Sequence, residues 1–180
     1  MLEIQKNLPE IAEFSKVSLG QWVKDADFWR KRGYTEAEIV KMHERIMLPT
    51  RATRGSAGYD FKSPCDFMLE PGDSVTIPTG IRAYIEHGWF LGIFPRSSLG
   101  FKYGARFANT VPIVDSDYYG AENEGHIFLK LTSPSDSGRR MIVREGDGFA
   151  QGIFMQYGVV FGEETTVIRT GGLGSTDSGV

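Results

Sequence analysis

LEPGDSVTIPTGIRAYIEHGWFLGIFP, residues 69–95, is a series of short alternating or apolar runs broken by Pro71-Gly72, Thr79-Gly80 and His87-Gly88. Alternation at every second residue puts apolar side chains on one face of an extended segment, and the dipeptides between the runs are turn formers. Further along, GHIFLKLTS (125–133) sets Ile127, Leu129 and Leu131 against Phe128, Lys130 and Thr132. GFAQGIFMQYGVVFG (148–162) reads as another strand region. Many short strands with frequent Gly and Pro punctuation predict an all-β sandwich or barrel. No internal repeat is evident.

Upstream the texture differs. SLGQWVKDADFWRKRG (18–33) spaces Leu19, Trp22, Val23, Ala26 and Trp29 on one helical face, with Gly33 as the stop. TEAEIVKMHERI (35–46) opens with Thr35 and Glu38 in capping-box register and groups Ile39, Met42 and Ile46. Residues 18–46 therefore read as a helical appendage packed on a β domain. His43 lacks a second ligand at helical spacing and reads as a surface or packing residue.

A chain of 180 residues with 41% hydrophobic residues can bury one core unaided. A formal charge of -3 gives no basic excess for nucleic acid, so phosphate chemistry must rest on a few placed cations. Cys65 is the single cysteine, which excludes a disulfide framework and a thiolate cluster and suits a small half-buried hydrophobe. Residues 1–14 lack a signal-peptide pattern and no apolar run approaches a membrane span, so a soluble, cytoplasmic protein is expected.

Five polar, Gly-rich segments exceed what a plain barrel needs: RATRGSAGYDF (51–61), FPRSSLGFKYG (94–104), FANTVPIVDSDYYG (107–120), EGDGFAQGIF (145–154) and the tail RTGGLGSTDSGV (169–180). Arg96 offers a planar fork of donors, and Ser97 and Ser98 add hydroxyls and backbone N–H groups in a turn, a set suited to phosphate oxygens. Within a strand, Asp115 and Asp117 would share a face, either as a metal pair or as one base beside one structural carboxylate. Asp60 is a further carboxylate for a metal–water network.

In this order, LPTRATRGSAGYDF, PRSSLG, NTVPIVDSDYYG, GDGFAQ and RTGGLGST resemble the five motifs of the trimeric dUTP pyrophosphatase (dUTPase) family, over residues 46–176. The chain looks like a bacterial or phage variant with an N-terminal helical insertion. The resemblance implies a single domain over 1–180, built as a distorted jelly-roll-like β-barrel, with the insertion at 18–46 and a flexible tail at 169–180 that closes on the active site. It implies hydrolysis of dUTP to dUMP and pyrophosphate with Mg²⁺, limiting uracil in DNA and supplying dUMP for dTMP synthesis. Asp115 matches the aspartate that activates water for attack on the α-phosphorus. Tyr118 matches the aromatic that stacks under the deoxyribose and leaves no room for a 2′-hydroxyl, and Asn109 the residue that helps read uracil, with Ile113 and Val114 in the same substrate-binding set. Arg96, Ser97, Ser98 and Gln151 match phosphate-handling positions, and Asp60 reaches the metal through water. From the tail, Arg169, Gly171, Gly172, Leu173, Gly174 and Ser175 match the segment that closes over the nucleotide. A homotrimer with shared active sites is implied, with neither nucleic acid nor membrane as partner.

The pattern departs in four places. Pro112 stands where glycine is usual, and AENEG (121–125) looks inserted, leaving Gly125, His126 and Phe128 as alternatives for the uracil-facing position. Gly148 replaces a common arginine, and Leu173 replaces the aromatic that usually covers the base, giving an aliphatic lid. His126 itself reads as a hairpin or strand-edge residue, Glu122 and Glu124 as a solvated rim, and Tyr119 as structural. Two alternatives stand beside the dUTPase reading. A dCTP deaminase of the same fold would need a catalytic glutamate where Lys130 aligns, and a dUTPase-like module binding a regulatory protein partner would use residues 18–46 as its contact surface.

Overall fold

The computed structural model describes residues 8–166 and 171. The strands expected from the alternating runs form, and they make an all-β body. Strand β1 (Ala12–Lys16) precedes the helices α1 (Leu19–Lys24), α2 (Asp27–Arg30) and α3 (Glu36–Arg45). There follow β2 (Thr50–Arg51), β3 (Tyr59–Lys62), β4 (Phe67–Leu69), β5 (Ser74–Pro78), β6 (Ile81–Ile85) and β7 (Trp89–Pro95). After α4 (Ser97–Tyr103) come β8 (Arg106–Phe107), β9 (Ile113–Val114), a 3-10 turn (Ser116–Gly120), β10 (Phe128–Thr132), β11 (Met141–Val143) and β12 (Gly148–Gln156).

Pairing crosses the sequence in the manner of a jelly roll. The largest sheet runs β2-β3-β12-β7-β9, a second β5-β10-β8, and two-stranded pairs join β1 to β6 and β11 to β4. All pairings are antiparallel. In β10 the alternation holds as expected, with Leu129 and Leu131 fully buried and Lys130 exposed. Strand β1 lies ahead of the segment covered by the motif resemblance, yet it pairs along its full length with β6, from Ala12↔Ile85 to Lys16↔Ile81. The helical segment is thus set between two strands of the barrel. No described helix is long and apolar enough to cross a membrane.

Residues 18–46 are helical, with one revision. The first helix does not run through to Gly33 but breaks at Asp25 and Ala26, whose ψ values are 7° and 4°. Seven residues of unbroken helix would separate Trp22 from Trp29 by about 10 Å along the axis; the break lets the two rings meet at 5.5 Å, both wholly buried. Leu19, expected on the same face, is instead 42% exposed. The Thr35–Glu38 capping box is complete, and Ile39, Met42 and Ile46 are buried as predicted. His43 makes a packing contact, its Nε2 lying 2.8 Å from the Val17 carbonyl. Cys65 is more deeply set than a half-buried residue: it is 2% exposed, because the barrel closes over it together with Phe67 and Leu69.

Gly80 makes the join between helices and barrel possible. Its φ is +73°, and a Cβ there would collide with the Ile46 side chain and lie 3.3 Å from Trp22. Its amide donates to His126 Nε2 at 2.8 Å, and its carbonyl accepts from the Val17 amide at 3.0 Å.

Candidate active site

The largest sheet carries the candidate site. On β3 and β12, Asp60 and Gln151 are direct register partners, ninety-one positions apart in sequence and opposite one another in space. Side chains of such partners stand on the same face a few ångströms apart. On the other side of β12, Pro95 at the end of β7 pairs with Ala150, and the Arg96 amide donates to the Phe149 carbonyl at 3.3 Å. Arg96 therefore emerges beside Asp60, with Nε 3.4 Å from Oδ1. Together with Ser56, Gly58, Ser97 and Ser98 they line a cavity of about 220 Å³.

Two glycines shape that cavity. A Cβ on Gly58 would meet Gln151 Oε1 at 2.8 Å, and one on Gly148 would meet Arg96 Nη1 at 2.7 Å. The position that departs from the motif at Gly148 is therefore the space the Arg96 side chain occupies. Ser97 and Ser98 do not form the expected turn. They are the first residues of α4, with Arg96 at its N-cap. The first N–H groups of a helix lack intrahelical acceptors, so these two residues present amides as well as hydroxyls. A guanidinium paired with a carboxylate, two serines and a carboxamide thus gather around one cavity, and donors of this kind can serve phosphate oxygens.

The third motif lies elsewhere. Strand β9 pairs with β7 through Leu91↔Val114 and Gly92↔Ile113, on the far side of β7 from β12. Val114 is buried and Ile113 is 52% exposed. Asp115 and Asp117 do not share a strand face: Asp115 caps the 3-10 turn that contains Asp117, because the chain folds sharply after two strand residues. Asp115 is half-buried, and the Tyr118 amide donates to its carbonyl at 3.2 Å. Asn109 is exposed at the tip of the preceding loop, where Thr110 adopts φ 64°. Pro112 cannot donate, but its carbonyl accepts from the Ile93 amide at 3.0 Å and keeps β9 in register. None of Asn109, Ile113, Val114, Asp115 or Tyr118 lines the Asp60–Arg96 cavity.

Tyr118 is 5% exposed, its hydroxyl donating to the His126 carbonyl at 2.9 Å and accepting from Asn123 Nδ2 at 2.8 Å. Its ring can offer a floor, while its hydroxyl is turned inward. His126 is no strand-edge residue. It is fully buried, with Nδ1 2.6 Å from Asp25 Oδ2 and Nε2 accepting from Gly80. Gly125 is buried too, and a Cβ there would strike the Tyr118 carbonyl. Of the three alternatives for the base-facing position only Phe128 keeps open surface. Glu122 is exposed and Glu124 partly so, as expected of a rim, but Glu124 also accepts from the Ser18 amide at 2.7 Å and hydroxyl at 2.6 Å. Tyr119 packs under the Arg82 guanidinium, 3.6 Å from the ring centroid.

Arg169, Gly172, Leu173, Gly174 and Ser175 lie outside the described residues; Gly171 is described and half-buried. Sequence reasoning missed Asp25, whose link to His126 spans 101 positions and carries no local signal.

A divalent ion fits the cavity as a guest of the substrate. Among the described residues no group of three or more His, Cys, Asp or Glu could hold a metal alone. Asp60, with a side chain 13% exposed, is one hard oxygen donor facing a phosphate-sized space. A single carboxylate of this kind can meet a divalent ion only where other oxygens, from phosphate or water, complete the coordination.

Comparison with known proteins identifies the family. The family model described as dUTPase matches residues 44–179. The chain is 38% identical over 144 residues to the deoxyuridine 5'-triphosphate nucleotidohydrolase of Lactococcus lactis, covering 77% of this chain and 95% of that one. It is 35% identical over 147 residues to the protein of the same name from Dictyoglomus turgidum, covering 77% and 95%. Among solved structures it is similar to the dUTPase from Streptococcus mutans, with a TM-score of 0.60, 31% identity, and coverage of 83% of this chain and 98% of that one.

Proposed function

The chain belongs to the dUTPase family, and from that premise we propose that it hydrolyses dUTP to dUMP and pyrophosphate. The observation that carries the reading is the convergence of Asp60, Arg96, Ser97, Ser98 and Gln151 on one phosphate-sized cavity from three separate motifs. In the reaction, Arg96 and the α4 N-terminus hold phosphate oxygens and keep the chain of phosphates in line. The Asp115 carboxylate takes a proton from a water as its oxygen bonds to the α-phosphorus. The bond from that phosphorus to the bridging oxygen breaks, pyrophosphate leaves, and the proton passes from Asp115 to solvent. General-base assistance of this kind contributes about 10²–10⁴-fold. Asp60 would reach a Mg²⁺ ion bound with the nucleotide through water, and the ion would supply neutralisation of phosphate charge.

The separation of Asp115 from the cavity within one chain supports a site shared between subunits, as in a homotrimer. One subunit supplies Asp60, Arg96 and Gln151, and another supplies Asp115, Tyr118 and Asn109. The deaminase alternative gains nothing from β10, where Lys130 is exposed and faces Thr76 across the sheet. A regulatory contact through residues 18–46 would have to use their polar surface and the exposed Leu19, since Trp22, Trp29, Ile39 and Met42 are buried.

The test is pyrophosphate release from each dNTP with Mg²⁺. A wide preference for dUTP is expected, while comparable release from dTTP or dCTP refutes the reading. Asp115→Asn is expected to lower turnover by about 10²-fold or more while nucleotide binding persists. Near-normal turnover would remove Asp115 from its role, and light scattering that returned a monomer would remove the shared site.

A further inference from the structure

We propose that helix α1 is a brace for the nucleotide site, with Asp25 acting through His126 to position Tyr118. The inference rests on the dUTP reading above and names a positioning residue that lies outside the five motifs.

Helix α1 is gripped at both ends by one loop. At its N-cap, Ser18 donates through amide and hydroxyl to Glu124. At its C-cap, Asp25 accepts from His126 Nδ1 at 2.6 Å and from Gln21 Nε2 at 2.7 Å. The two gripping residues are two positions apart, and Glu124 takes a left-handed backbone, φ 58°, to reach. Two segments that look unrelated in sequence, 18–46 and 121–126, are therefore halves of one fitting.

The fitting bears on the third motif through His126. A backbone N–H can only donate, so His126 Nε2 accepts from Gly80, and the ring proton sits on Nδ1 facing Asp25. With both ring nitrogens committed and no exposed surface, the ring fixes its own backbone, and the His126 carbonyl is the acceptor for the Tyr118 hydroxyl. Asn123 closes the chain by donating to the same hydroxyl, while its Oδ1 accepts from the Gly125 amide. Tyr118 in turn donates its amide to the Asp115 carbonyl. A partner lost from a buried ring leaves a donor without an acceptor, and the ring must shift or take in water. A shift of His126 moves the carbonyl on which the Tyr118 hydroxyl depends.

The positioning requires an acceptor at Asp25, not its charge, and this separates it from simple support. Asp25→Ala is expected to raise KM for dUTP and to lower the preference for dUTP over UTP, measured as a ratio of kcat/KM, by about tenfold. Tyr118→Phe, which keeps the ring and drops the hydroxyl, is expected to do the same. Asp25→Asn, which keeps an acceptor, is expected to retain the wild-type ratio. Arg30→Ala breaks the 2.6 Å pair with Glu36 in the same helical segment, away from His126, and is expected to leave KM and ratio unchanged. A purely structural role would lower the active fraction, scaling turnover of both nucleotides equally with KM intact. A folded Asp25→Ala with wild-type KM and ratio overturns the proposal. If Asp25→Ala does not fold, Tyr118→Phe decides, and a wild-type ratio there overturns it. Wild-type protein that fails to turn over dUTP sinks the underlying reading and the brace with it, whereas active wild type beside an unaffected Asp25→Ala sinks the brace alone.

Discussion

Gly80→Ala strikes the joint between the helical segment and the barrel, and Gly33→Ala provides its comparison. Both glycines have left-handed backbones, φ +73° and +84°, but a Cβ at Gly33 meets nothing within 4 Å, while one at Gly80 runs into Ile46 and Trp22. A left-handed backbone costs an L-residue about 1–2 kcal/mol, and alanine returns about 0.4–1 kcal/mol by restricting the unfolded chain. Gly33→Ala should therefore lose roughly 0.5–1 kcal/mol. Gly80→Ala adds overpacking of about 1–3 kcal/mol, for a total of roughly 2–4. At about 2–4 °C per kcal/mol for a domain of this size, the melting shifts are roughly 4–16 °C at Gly80 and 1–4 °C at Gly33. The assay is thermal unfolding by circular dichroism at one fixed protein concentration, because association alters the midpoint. Equal shifts in the two variants would refute the reasoning, since they would mean that Ile46 and Trp22 are not held against Gly80.

Three further outcomes follow from two ionisable groups, the buried Cys65 and the half-buried Asp25. Burial pushes the Cys65 thiol up to about 12, so at pH 8 the native protein should show no thiol to Ellman's reagent and one after denaturation. Its raised value also means stability is lost as pH rises from about 9, the ordinary value, towards 12. Burial works against ionisation of Asp25, but hydrogen bonds from His126 and Gln21 outweigh it and hold the carboxyl below its ordinary 3.8. That contribution is present above 3.8 and disappears as pH falls through the lower folded value, so Asp25→Asn should flatten the acid limb of a stability–pH curve below about pH 4.

What was legible in the sequence was local. The alternation of Ile127, Leu129 and Leu131 needs only the pleat of a strand, and the capping box of Thr35 and Glu38 lies within one helical turn. The proposed phosphate-binding set was legible as residue types, and the sheet register explains why Asp60 and Gln151 lie opposite one another. What was not legible depends on distant partners. Helical periodicity runs unbroken through Asp25 and Ala26, and only the packing of Trp22 on Trp29 ends the helix there. Asp115 and Asp117 alternate as strand residues do, yet β9 ends after Val114 and the chain turns. His126 next to a glycine resembles a turn residue until Asp25 and Gly80 arrive from elsewhere in the chain.

The grip of one loop on both ends of α1 bears on how such chains diversify. A lineage that lost residues 18–46 but kept 121–126 would carry an imidazole buried for a carboxylate no longer there, and a glutamate with no helix to cap. The reverse loss would strip α1 of its end contacts. The two stretches therefore have to be grafted together if their contacts are to be kept. A chimera made by exchanging only the conspicuous helical part would inherit a misfit beside Tyr118, and its altered activity would be misread as a property of the helices.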